Sequence, residues 1–141
     1  MCNFLVQGVE KYDFYTVNGS MDWAIVPAGT IKYLNQETPI RVQVGDYSWG
    51  YIHTAHKHRN FLSKNKSTLE ELFYKKLGQS GSIYSTEEDK KFKISMRLSP
   101  SVIVLLRYIP KGEFLTLVTM YQLNRRLDGI ELGRYRSEFR I

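Results

Sequence analysis

The sequence predicts an α+β fold: an N-terminal helical or irregular segment followed by a twisted antiparallel β-sheet of about four strands. Two observations predict it. The clearest helix, STLEELFYKKLG, is followed by three strand-like runs with no helix between them, an order that belongs to α+β rather than α/β. The length of 141 residues, with 43% hydrophobic and 24% charged, suits one globular domain over 1–141 with its own core. Within it, residues 1–40 read as an N-terminal segment, 41–123 as the core and 124–141 as a basic tail.

The elements follow in chain order. DFYTV and WAIVPAGT read as short strands, closed by NGS and by Pro27 and Gly29. In IKYLNQETPIRVQVGDY, Ile40, Val42 and Val44 alternate with Arg41 and Gln43, an extended pattern. After Gly45–Asp46 a short helix is expected over about 48–61, with Asp46 or Ser48 as its cap. In STLEELFYKKLG, Ser67 and Glu70 read as a capping box. Leu69, Leu72, Phe73 and Leu77 fall on one face, and Gly78 closes the helix. GQSGS reads as a loop. KFKISMRL alternates Phe92, Ile94, Met96 and Leu98 with polar residues. Ser99–Pro100 is a turn, SVIVLLRYI a buried strand, Pro110–Gly112 a hairpin turn and EFLTLVTMYQL the last strand.

Charge points towards a polyanionic partner. Twenty Lys plus Arg against fourteen Asp plus Glu leave +6, which favours nucleic acid or an acidic protein. No acidic residue lies between Asp46 and Glu70, whereas Lys57, Arg59, Lys64 and Lys66 do, and the tail carries Arg125, Arg126, Arg134, Arg136 and Arg140. No apolar run approaches the ~18 residues of a membrane span. The single Cys2 allows no internal disulfide. The start, MCNFLVQGVEKYDF, has no signal-peptide pattern.

All three histidines, His53, His56 and His58, fall in WGYIHTAHKHRNF. A metal site would want helical ligands at i and i+4, with further acidic or Cys ligands nearby. The spacings here are three and two, and Lys57 and Arg59 would crowd a dication. Phosphodiester cleavage fits those neighbours better. It needs a base for the 2′-hydroxyl proton, an acid for the leaving 5′-oxygen, and donors around the phosphate. Histidine serves both proton roles, and on a helix His53, His56 and Lys57 share a face. Any one histidine alone is explained as well by packing or capping.

Gly50-Tyr51-Ile52-His53 followed by His56-Lys57-His58 resembles the G-x-x-H-I-x-x-R-H signature of the barnase–EndoU–colicin–RelE-like superfamily. These are small metal-independent ribonucleases, many of them toxin domains of contact-dependent growth inhibition and polymorphic toxin systems. Leu117-Val118-Thr119-Met120-Tyr121 resembles the ending of that fold's final strand. Thr54 and Lys57 depart from the pattern, standing where an apolar residue and an Arg are usual. The likeness spans Val42 to Leu123.

The resemblance implies an endoribonuclease with 41–123 as catalytic core. It places His53 as general base or acid, His58 or else His56 as its partner, and Thr119 and Tyr121 as donors to phosphate, Tyr121 also as a stacking surface. Lys57 would hold the scissile phosphate, with Arg59 and Arg107 as further RNA-binding cations. No cofactor is implied. The implied partners are an RNA substrate, tRNA first among candidates, a cognate immunity protein, acidic to match the basic face, and a host translation factor as a candidate helper. The implied setting is a secreted effector domain acting in the cytoplasm of a target cell. Two alternatives stay open: a non-catalytic basic module binding nucleic acid or protein, and a metal-dependent nuclease built on the His cluster.

Overall fold

In the computed structural model, which describes residues 3–31, 34–57, 59–64, 68–79, 81–85, 93–98, 102–122 and 131–135, the chain is α+β. The first half runs β1 (Phe4–Val6), β2 (Phe14–Val17), β3 (Ala24–Val26), β4 (Thr38–Gln43), α1 (Gly50–Lys57), α2 (Arg59–Lys64) and α3 (Leu69–Leu77). The second runs β5 (Gly81–Ser85), β6 (Lys93–Leu98), β7 (Val102–Ile109), β8 (Phe114–Gln122) and β9 (Glu131–Tyr135).

The expectation of about four antiparallel strands after a helical or irregular N-terminus is corrected. Among the described residues nine strands form one mixed sheet, ordered β1-β2-β4-β8-β7-β6-β5-β9, with β3 also on β4. The three antiparallel strands expected after the helices are present as β6, β7 and β8. What enlarges the sheet is a parallel pairing of β4 with β8, at Ile40↔Leu115 and Arg41↔Thr116. It joins the N-terminal ladder to the C-terminal one, so residues 1–40 supply sheet strands. The basic tail supplies β9, antiparallel to β5.

One face of the sheet carries the core. The alternation at Ile40 and Val42 continues through Leu115 and Leu117 on β8 and Val104 and Leu106 on β7, all nearly or fully buried. Against them α3 lays the face read from its sequence: Leu69, Leu72, Phe73 and Leu77 are buried. Each such side chain contributes about 1.5–3 kcal/mol when fully removed from water. Trp23, also buried, stacks on Phe4 (5.5 Å), meets Phe73 at a tilt (5.7 Å) and donates its indole N–H to Tyr15 O at 3.0 Å. Tyr135 of β9 is wholly buried and donates its hydroxyl to Leu77 O at 2.6 Å, fixing the tail strand to the end of α3.

Two local expectations shift. The α3 capping box is Thr68 with Glu71, not Ser67 with Glu70: Thr68 Oγ1 accepts from Glu71 N and Glu71 Oε1 from Thr68 N, each at 3.2 Å. STLEE holds two overlapping boxes. The one used leaves Glu70 free to accept a hydrogen bond from Tyr51 Oη at 2.9 Å. GQSGS, Gly78–Ser82, is not all loop, since β5 begins at Gly81. Ser67 and the Ser99–Pro100 turn lie outside the described residues.

Candidate active site

The site begins where β4 ends. Gly45 and Gly50 have φ of +69° and +85°, and a Cβ on Gly45 would stand 2.1 Å from Trp49 O. Only glycine allows the chain to double back so closely. Inside the loop, Asp46 Oδ1 accepts from Ser48 N at 2.8 Å and Ser48 Oγ at 2.6 Å. These bonds hold the Asp46 carboxyl below its ordinary pKa, the Ser48 hydroxyl contributing most. Asp46 and Ser48 thus serve their own turn, and the helix starts at Gly50.

Thr54, the residue that departs from the apolar pattern, is fully buried. Its hydroxyl donates to Gly50 O at 2.8 Å and reaches Val118 O at 3.4 Å. Val118 is the extra residue of a bulge, since Leu105 faces Thr119 while Leu106 faces Leu117. Bulges re-aim the side chains beyond them. This one turns Met120 to the core and leaves Thr119 on the face opposite, with Thr116 and Arg107. A Thr here offers a hydroxyl to the Val118 carbonyl at the bulge, where an aliphatic side chain would only pack.

The 100° step of α1 then sorts its residues. Tyr51 and Ala55 pack on the core, and His53 and Lys57 lie on the other flank of Thr54. Tyr51 stacks on Tyr15 at 4.1 Å. Its hydroxyl pKa is pushed up, first by burial, then by the charge of Glu70 and the bond to it. This junction ties α1 to β2 and α3.

His53 Nδ1 lies 2.8 Å from Tyr47 O. A carbonyl only accepts, so Nδ1 carries the proton in neutral His53 and Nε2 is left with its lone pair. His56, exposed, meets the Tyr47 ring edge-on at 5.3 Å and 78°. Tyr47 therefore gathers two of the three histidines, one by its carbonyl and one by its ring. Lys57 is exposed at the end of α1. Arg59 is exposed too, but its Nη1 donates to His56 O at 3.0 Å, closing that helix end. His58 lies outside the described residues.

A cleft of about 400 Å³ opens on the side of the sheet away from the core. It is lined by Tyr12, Gln43, Ser48, Trp49, Arg107, Ile109, Thr116 and Val118. Of the predicted residues with described side chains, Arg107 alone lines it. Arg107 is exposed and stands opposite Thr116 across the β7–β8 ladder. Thr116 is 1% exposed, and its Oγ1 has no hydrogen-bond partner among the described residues. Such an orphaned hydroxyl costs roughly 1–3 kcal/mol. Thr119 and Tyr121 continue along β8 opposite Leu105 and Ile103. The structure therefore brings together His53 and His56 around Tyr47, and Arg107 with Thr116 in the cleft. The loop Asp46–Trp49 is shared: its Tyr47 holds the histidines, and Ser48 and Trp49 form cleft wall.

Tyr47, Trp49, Tyr12 and Thr116 were not singled out by sequence. Trp49 had a local signal, standing directly before the Gly50 motif, whereas Tyr12 and Thr116 reach the site only through folding. Among the described residues no group of three or more His, Cys, Asp or Glu is placed to hold a metal ion. No described helix is long and apolar enough to cross a membrane. Comparison with protein-family models, curated proteins and solved structures finds no match for this chain.

Proposed function

We propose that this protein is a metal-independent endoribonuclease of the toxin type, with tRNA as the first candidate substrate and a cognate immunity protein as its natural inhibitor. The observation that carries the reading is the anchoring of His53. A backbone carbonyl fixes its tautomer and leaves Nε2 of the half-buried ring as an acceptor, on the helix flank that also carries exposed Lys57. That is the arrangement a general base needs.

In the proposed reaction His53 Nε2 takes the 2′-hydroxyl proton and the 2′-oxygen attacks phosphorus. The bond from phosphorus to the 5′-oxygen breaks, and a second histidine, His58 or His56, protonates the departing oxygen. The products are a 2′,3′-cyclic phosphate and a 5′-hydroxyl. Lys57 offsets the charge that grows on the phosphate, with Thr119 and Tyr121 as hydrogen-bond donors and Arg107 as a further RNA-binding cation. As in the resembling family, the chain would act as a secreted effector in the target-cell cytoplasm.

The test is cleavage of total bacterial RNA in EDTA, wild type beside His53→Ala. Discrete fragments from the wild type alone support the proposal. Cleavage that needs a divalent ion would favour the metal-dependent alternative. Binding without cleavage would favour a nucleic-acid-binding module, a reading to which the cleft lends weight because it needs no histidine.

A further inference from the structure

The cleft beside Trp49 has features that proton transfer by His53 does not use. Its walls include two aromatic side chains, Tyr12 and Trp49, with ring centroids 5.9 Å apart and planes tilted by 36°. Its polar side pairs the exposed guanidinium of Arg107 with the buried, unpartnered hydroxyl of Thr116. Among the described residues Arg107 has no ion-pair partner. At about 400 Å³ the space is within the range of roughly 300–1,000 Å³ found for small-ligand sites. An aromatic wall facing a cation and an orphaned hydroxyl asks for a ligand with a flat ring at one end and an anion at the other.

We propose that this cleft is a nucleotide-binding subsite. It takes one nucleotide unit, the base against Trp49 and Tyr12 and the phosphate on Arg107 and Thr116 Oγ1. Stacking on aromatic side chains tolerates any base because each has a π-face. Arg offers phosphate its paired N–H donors. Thr116 gains the hydrogen bond it lacks among the described residues. The choice of a nucleotide over another aromatic anion rests on reading the chain as an RNA-cleaving protein. The Asp46–Trp49 loop gives the subsite a reason to sit here. Tyr47 orients His53 and the residue after next, Trp49, contacts the ligand, so a nucleotide seated in the cleft sets where the neighbouring phosphodiester meets α1.

The test is binding without turnover. The full chain is titrated by calorimetry with each nucleoside 3′-monophosphate and, separately, with inorganic phosphate and unphosphorylated nucleosides. The expected result is saturable binding of the monophosphates, at least tenfold tighter than either fragment. Arg107→Ala and Trp49→Leu should each weaken it about tenfold or more, and Thr116→Val about three- to tenfold. Arg107 is exposed, so its variant keeps the measurement interpretable if Thr116→Val proves unstable. Phosphate alone binding as tightly as the nucleotides overturns the aromatic half. Absence of saturable binding, or Arg107→Ala and Trp49→Leu both binding like wild type, overturns the subsite. RNA cleavage with no nucleotide binding removes the subsite and leaves the ribonuclease reading standing; nucleotide binding without cleavage does the reverse.

Discussion

His53 shows how much of a side chain's chemistry is decided by one neighbouring atom. Sequence places it three residues from His56 and four from Lys57, which makes it a candidate. The Tyr47 carbonyl at 2.8 Å then specifies which nitrogen carries the proton. General acid–base catalysis is worth roughly 10²–10⁴-fold, so His53→Ala should lose about that much cleavage with its circular dichroism unchanged. A variant keeping more than a tenth of wild-type rate would remove His53 from the mechanism. Thr119, proposed as one donor among several, should matter less: Thr119→Ala is expected to lower the rate about tenfold to a hundredfold, read in the same assay. The motif made His53 legible. Thr116 was not, because a threonine in a strand of FLTLVTMYQ looks like any β-former until its hydroxyl is found buried and unpartnered.

At the scale of elements, α1 depends on its two ends and its junctions more than on helix propensity. An eight-residue helix is too short to be stable alone. It is held by the Gly45–Gly50 crossing, by Thr54 at the β8 bulge and by Tyr51 between Tyr15 and Glu70. Gly50→Ala puts a Cβ 2.9 Å from Gly45 Cα at a φ of +85°. It should destabilise by about 1–3 kcal/mol, seen as a lower urea midpoint, and should reduce cleavage by moving His53 off the Tyr47 carbonyl. The Tyr51 junction predicts an alkaline limit. Burial, then Glu70, raises the Tyr51 pKa. The unfolded chain therefore loses this proton near pH ~10 while the folded one keeps it. Stability is full below that pH and falls as pH rises beyond it. Tyr51→Phe should flatten the fall in urea midpoint above pH ~10, leaving the smaller part owed to Tyr15, whose pKa is raised in the same direction. An unchanged alkaline slope would show that the junction does not couple to folding.

For the whole molecule, the charge of +6 would set the conditions under which the proposed RNA substrate binds. Each phosphate met on a single strand contributes a slope of about −0.7 in log affinity against log salt. With Lys57 and Arg107 each meeting one, the slope is about −1.4, and a fourfold rise in salt should weaken RNA binding roughly sevenfold. Arg107→Ala should reduce the slope by about half, measured by fluorescence anisotropy with a short labelled RNA. A salt-independent affinity would contradict phosphate contact by either residue. The mixed sheet matters at this scale as well. Tyr12 comes from the loop before β2, Gln43 from β4 and Arg107 from β7, and the β4–β8 pairing brings them to one cleft.

What the sequence determined by itself is local. The α3 face, the strands β2 to β4, the β6–β7–β8 run and the histidine cluster can all be read from periodicity and turn residues within about a dozen positions. Other strands were too weakly patterned to show: β1 has three residues, β5 opens on Gly81 and β9 carries Gly133 in its interior. Only the tertiary structure decided that β4 lies parallel to β8, that the tail closes on α3 through Tyr135, and that Tyr12 and Trp49 face Arg107 and Thr116. Such contacts join residues many tens of positions apart. They depend on which buried faces fit together rather than on the pattern of any one segment, so no local reading of the chain contains them.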